Sequence, residues 1–148
     1  RYSSRSEMVL FALGRSLRFE FPTGLPQQSL RDGILSMLRY ARERFDSIGA
    51  DTFRALIGEA DQPTLALLSG GMDAAERALA DQVITPAVAR GELGRRPLAP
   101  GVLRVPYAIL REQILFRTGP AMTLEEITDT ICLPLLKAAS TTVPHAPE

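Results

Sequence analysis

The segment from Leu98 to Arg117 constrains this chain more than any other. It is bounded by Pro97 and Pro100 on one side and by Thr118-Gly119-Pro120 on the other. Between them lie Val102, Leu103, Val105, Tyr107, Ala108, Ile109, Leu110, Ile114, Leu115 and Phe116. Pro100 suits the first turn of a helix, where its missing N–H costs nothing, and Thr118-Gly119-Pro120 stops the helix. At helical periodicity Leu103, Tyr107, Leu110 and Ile114 share one face, while Val105, Ile109 and Phe116 share another. A helix with two apolar faces needs two partners. One is expected within the subunit and the other across a dimer interface. Gly91 closes the helix before it, because glycine past the last turn takes the left-handed conformation at little steric cost.

Ala89-Arg90-Gly91-Glu92-Leu93, a short proline-bearing linker, the long apolar helix, Thr118-Gly119-Pro120-Ala121-Met122 and an acid-capped last helix follow in that order. Over residues 52–138 this resembles the C-terminal half of TetR-type transcriptional regulators. The resemblance implies a ligand-sensing, dimerising, all-helical domain. Arg1-Tyr2-Ser3-Ser4-Arg5-Ser6-Glu7-Met8-Val9-Leu10 is similar to the family segment just after the recognition helix, with Tyr2 where many members carry an aromatic residue. That implies a DNA-reading helix-turn-helix directly upstream and absent from this chain.

At 148 residues the chain makes one domain with a substantial core. Lysine plus arginine and aspartate plus glutamate both number 17, so the net charge is zero. Phosphate binding needs clustered positive charge, so DNA is expected to be reached only through the upstream helix-turn-helix. No window approaches the roughly 18 apolar residues of a membrane span. The start, Arg1-Tyr2-Ser3-Ser4, has no apolar stretch of a signal peptide, and its arginine points to a fragment or a processed chain. The single Cys132 excludes an internal disulfide and fits the cytoplasm.

The pattern predicts an all-α fold of about six helices. Ser4 and Glu7 have the form of a capping box for a helix to about Phe19. Ser29 with Asp32 starts a helix over about 30–46, with Leu30, Ile34, Met37, Leu38, Ala41 and Phe45 as its stripe. Asp51 is expected to cap a short helix holding Phe53, Leu56, Ile57 and Ala60. A long helix follows over about 64–90, with Leu65, Leu68, Met72, Ala75 and Leu79 at helical spacing. Gly70-Gly71 weakens it, and Pro86 is expected to kink it near Gln82. Thr123 and Glu126 form a capping box for the last helix, to about 138, and Pro134 is expected to bend its end. The domain is placed at 1–139 and a disordered tail at 140–148. The last two helices, 100–118 and 123–138, are expected to pack on their symmetry mates as a four-helix bundle.

Enzymatic chemistry has little to stand on. His145 lies in the tail, Cys132 on an apolar helix face, and neither a zinc site, a phosphate loop nor a nucleophile elbow can be written. No cofactor or metal is expected. Arg111, Glu112 and Gln113 interrupt the most apolar helix: the triplet either faces solvent or, if the helix is enclosed, places at least one buried and paired group there. An effector site is expected among Phe11, Met37, Leu38, Leu68, Met72, Tyr107, Arg111 and Ile114, for a small lipophilic or aromatic molecule. The homodimer interface is expected at Val105, Ile109, Glu112, Phe116, Ile127, Ile131 and Leu135. The same stripes also fit a dimeric interaction module with a solid core and no ligand.

Overall fold

The computed structural model describes Met8, Phe21, Thr23, residues 29–116 and residues 119–141. Among these residues every regular element is helical, as the periodicity predicts. We number them α1 (Leu30–Ile48), α2 (Ala50–Gly58), α3 (62–89), α4 (Pro100–Phe116) and α5 (124–140). The helix expected after Ser4 falls outside the described residues, apart from Met8, which is helical. The same holds for His145 in the tail.

Most helix ends follow the capping chemistry of the sequence. The Ser29 side chain accepts from Asp32 N–H. Thr123 and Glu126 form a reciprocal capping box: Glu126 N–H donates to Thr123 Oγ1 at 3.1 Å and Thr123 N–H to Glu126 Oε2 at 2.8 Å. Gly91, at φ +81°, closes α3: Gly91 N–H donates to Val88 O and Glu92 N–H to Ala87 O, which satisfies two terminal carbonyls. The start of α2 differs from expectation. Gly49 is its N-cap and Asp51 lies inside the first turn, where it pairs with Arg54 instead of bonding a backbone N–H. Arg54 Nε also donates to Leu115 O at 3.0 Å, so α2 covers the carbonyl end of α4.

Prolines shape α3 and α5 in the same way. Each helix contains one wide π turn, Ala80–Ile84 in α3 and Thr128–Cys132 in α5. Each turn sits just before a proline, Pro86 or Pro134. A proline ring clashes with the carbonyl four residues back and supplies no N–H. The residue ahead of each proline reaches back five positions, Thr85 N–H to Ala80 O and Leu133 N–H to Thr128 O. One inserted wide turn thus carries the helix past the ring. Pro106 lies inside α4 and is buried, with no such turn beside it.

The core is organised on α1, whose Leu30, Ile34, Met37, Leu38, Ala41, Phe45 and Ile48 are all buried. Both π turns pack against α1, as does α4. The connection after α3 ties three elements together. Glu92 accepts from Leu30 N–H at 2.8 Å, placing a carboxylate on the free N–H groups at the start of α1. Two residues on, Gly94 N–H donates to Ser140 Oγ at 3.0 Å, and Arg96 N–H donates to Ser140 O at 3.0 Å. Ser140, placed in the tail from sequence, is therefore the buried last residue of α5. Its hydroxyl and carbonyl are held by a loop that sequence spacing could not bring to it.

A Cβ at Gly94 would collide with Ser140 O, against backbone rather than a yielding side chain. A Cβ at Gly70 meets nothing within 4 Å. Gly94→Ala is expected to destabilise the domain by about 2 kcal/mol or more, the scale of core overpacking. Gly70→Ala is expected to stabilise it by about 0.5–1 kcal/mol, the helix-propensity difference. Urea melts of the two variants check both signs.

Candidate functional site

Four helices and Phe21 enclose a cavity of about 40 Å³. Leu68, Gly71, Met72, Ala75 and Glu76 of α3 recur at helical spacing and form one wall. Arg104, Tyr107 and Arg111 of α4, spaced by three and then four residues, form the opposite wall. Ala41 and Phe45 of α1 and Phe53 of α2 complete it. Phe45 and Phe53 meet edge to face at 5.1 Å, and Phe21 lies 4.8 Å from the Tyr40 ring and 6.2 Å from that of Tyr107. Gly71 contributes no side chain to its wall.

Two polar links hold α3 and α4 across this space. Tyr107 OH donates to Ala75 O at 3.2 Å, and Arg104 Nε pairs with Glu76 Oε1 at 2.6 Å. Glu76 is nearly covered and Arg104 about half exposed, so this pair stands at the rim. Arg111 has no hydrogen bond or ion pair among the described residues, although it is only partly exposed. Burial lowers its pKa first, the neighbouring Arg104 charge lowers it further, and Glu76 opposes both. Arg111 stays a cation, because guanidinium does not deprotonate in proteins. Among the described residues the cavity thus has aromatic and aliphatic walls, one ion pair and one positive charge without a partner.

Several residues placed in the site from sequence meet here, namely Leu68, Met72, Tyr107 and Arg111. Met37 and Leu38 do not line it. Both are fully buried one to two turns earlier on α1, in the core cluster, and their places at the wall are taken by Ala41 and Phe45. Ile114 lines a separate groove of about 230 Å³ with Arg42, Asp46 and Gln113. Phe11 lies outside the described residues. Phe21, Phe53, Glu76 and Arg104 were not foreseen; a Glu and an Arg on facing stripes give no signal until the two helices are known to cross there.

A family model described as Tetracyclin repressor-like, C-terminal domain, matches residues 26–131, more than half of the chain. The chain belongs to this family. No curated protein and no solved structure matches it. The match covers α1 to α4 and the start of α5, and so includes every cavity residue except Phe21.

The surface of this tetracycline repressor-like domain separates the residues assigned to a dimer interface. Phe116 is 77 % exposed and Glu112 is exposed, while Val105, Ile109, Ile131 and Leu135 are half-buried. Ile127 is a correction: it is wholly buried within the chain, on the side of α5 that faces the core with Cys132 and Leu136, so it offers no surface to a partner. Of the polar triplet in α4, Gln113 is the buried member, and its Oε1 has no partner among the described residues. Cys132 behaves as a small hydrophobe; burial pushes its thiol up to about 12, which leaves no thiolate near neutrality.

Burial raises the Tyr107 phenol above its ordinary value of 10.0, and the Glu76 carboxylate adds to the shift. A pKa higher in the folded state means that the contribution is complete below the unfolded value, about 10, and is lost as pH climbs towards the folded value. The melting temperature is therefore expected to fall more steeply above pH 10 in the natural chain than in Tyr107→Phe. At pH 7 the same variant is expected to lose about 1 kcal/mol through the missing hydrogen bond. Calorimetry across pH 7–11.5 checks both.

Proposed function

We propose that this domain is the regulatory half of a TetR-like transcriptional repressor in the cytoplasm. It binds a small, mostly apolar effector between α1, α2, α3 and α4 and homodimerises through α4 and α5. DNA is contacted by a helix-turn-helix outside these 148 residues. The observation that carries this is the apolar cavity with convergent polar groups inside the span that matches the family. Apolar walls with a few placed polar groups are the usual make-up of small-molecule sites. The effector acts by linkage: it shifts DNA affinity only as far as its own affinity differs between the two conformations of the dimer.

The open apolar side of the last two helices supports the dimer. Val105, Ile109 and Phe116 on α4 and Ile131 and Leu135 on α5 remain accessible in the single subunit. An isologous two-fold contact buries such a face on both copies at once. Ile109→Asp or Ile131→Asp would set an unpaired charge there, at a cost of several kcal/mol. Sedimentation velocity is expected to show a dimer for the natural chain and a monomer or aggregate for each variant. Dimers in both variants would put the interface elsewhere.

A second reading, a dimerisation module without ligand, is favoured by one observation: at about 40 Å³ the cavity holds only about three waters, well below a drug-sized site. The effector reading requires side chains to move, and Met72, half-buried, flexible and on the wall, is the one best suited. Met72→Trp is expected to fill the space, abolish thermal shifts caused by lipophilic compounds and leave the dimer intact. Unchanged shifts in that variant would leave the interaction module as the better description.

A further inference from the structure

We infer that the effector of this domain is an anion, an aromatic or otherwise lipophilic molecule whose carboxylate or similar acidic group is held by Arg111. The inference rests on the effector reading above and gives it a ligand class.

Among the described residues, the charges around the cavity do not balance. Arg104 and Glu76 neutralise one another at 2.6 Å. Arg111, further along the same face of α4, has Tyr107 between it and Arg104 and, among the described residues, no carboxylate of its own. Asp73, the other acidic residue near this rim, acts on Arg104 and is itself exposed. A partly buried cation without a counter-ion weakens a fold, because desolvation is unfavourable and no ion pair offsets it. Its like-charged neighbour Arg104 adds to the cost. Packing gives no reason for a guanidinium here, since an apolar side chain of similar length would cover the same wall. A residue that breaks a local rule without structural compensation is expected at a functional position.

An anionic group removes this imbalance. Guanidinium presents parallel N–H donors that match a carboxylate in a two-point contact. The rest of the wall sets the other end of the molecule. Phe21, Phe45, Phe53 and Tyr107 supply rings, and Leu68, Met72 and Ala75 supply aliphatic surface. A cationic ligand would meet the field of Arg111, and a neutral one would leave it unpaired. The class that fits is therefore a ring system bearing one acidic group.

Three probes with one ring system and different charges test this: 2-naphthoate, 2-naphthalenemethanol and 2-naphthylmethylamine. Binding to the natural 148-residue chain, to Arg111→Met and to Arg111→Lys is measured by calorimetry, with thermal melts of each protein alone. The natural chain is expected to bind the carboxylate at least about tenfold more tightly than the alcohol, as for a charge-assisted hydrogen bond over a weak neutral one. The amine is expected to bind weakest. Arg111→Met is expected to melt no lower than the natural chain and to lose the preference for the carboxylate. Arg111→Lys is expected to keep part of it. Equal binding of carboxylate and alcohol, or a preference that survives in Arg111→Met, would overturn the assignment of an anion and leave the effector reading standing. If none of the three binds, the effector reading falls and the anion with it. A marked loss of stability in Arg111→Met would show that Arg111 serves the fold, and would likewise overturn the inference.

Discussion

The burial of one face of α1 is the interaction on which the rest of the domain depends. Leu30, Ile34, Met37, Leu38, Ala41, Phe45 and Ile48 leave almost no area to water, and all but the small Ala41 are side chains that contribute about 1.5–3 kcal/mol each when fully covered. α1 is covered because α3, α4 and α5 all lie against it. The polar contacts at its N-terminus, Glu92 on Leu30 N–H and Arg31 with Asp129, orient the neighbours without supplying much energy. The Arg31–Asp129 pair is exposed on both sides, and pairs of that kind are worth little. Hydrophobic burial holds the domain together, and hydrogen bonds fix how its parts are set.

The two π turns show how helix irregularity becomes a means of packing. A straight α3 or α5 could not accept Pro86 or Pro134 without a clash four residues back. The extra residue in each wide turn relieves the clash and changes which side chains face inward beyond it. Val83 and Ile84 before Pro86, and Thr128 and Cys132 before Pro134, are all buried. Both turns therefore serve the contact with α1 that the proline would otherwise disturb. Thr128 and Thr130 return their hydroxyls to Leu124 O and Glu126 O, which keeps polar atoms satisfied where the ladder widens.

The candidate site follows a different logic. Across most of the interior, size and apolar surface explain each residue. At the space between α3 and α4 a cavity remains, Tyr107 gives its hydroxyl to a carbonyl that belongs to another helix, and Arg111 has no counter-ion among the described residues. Such a region is poorly adapted to stability and well adapted to receiving a molecule.

Much of the fold was legible in the sequence because it is set by neighbours along the chain. The stripe of α1, the cap at Ser29, the box at Thr123 and Glu126, and the positive φ of Gly91 each depend on residues within one or two turns. The disturbance before Pro86 was foreseen for the same reason, though its form as a π turn was not. At the cavity, the stripes read from the sequence include four residues that line it, Leu68 and Met72 on α3 and Tyr107 and Arg111 on α4. The sequence did not determine how far along each helix the walls would meet, so the stripe on α1 points to Met37 and Leu38 where Ala41 and Phe45 stand. Periodicity fixes the angle around a helix axis but not the point where two axes cross. That point depends on the fit of many side chains at once. The same limit hid the Glu76–Arg104 pair, the grip of the 92–96 loop on Ser140, and the burial of Ile127 in the core. Residues far apart in the chain acquire these relations only when the helices pack.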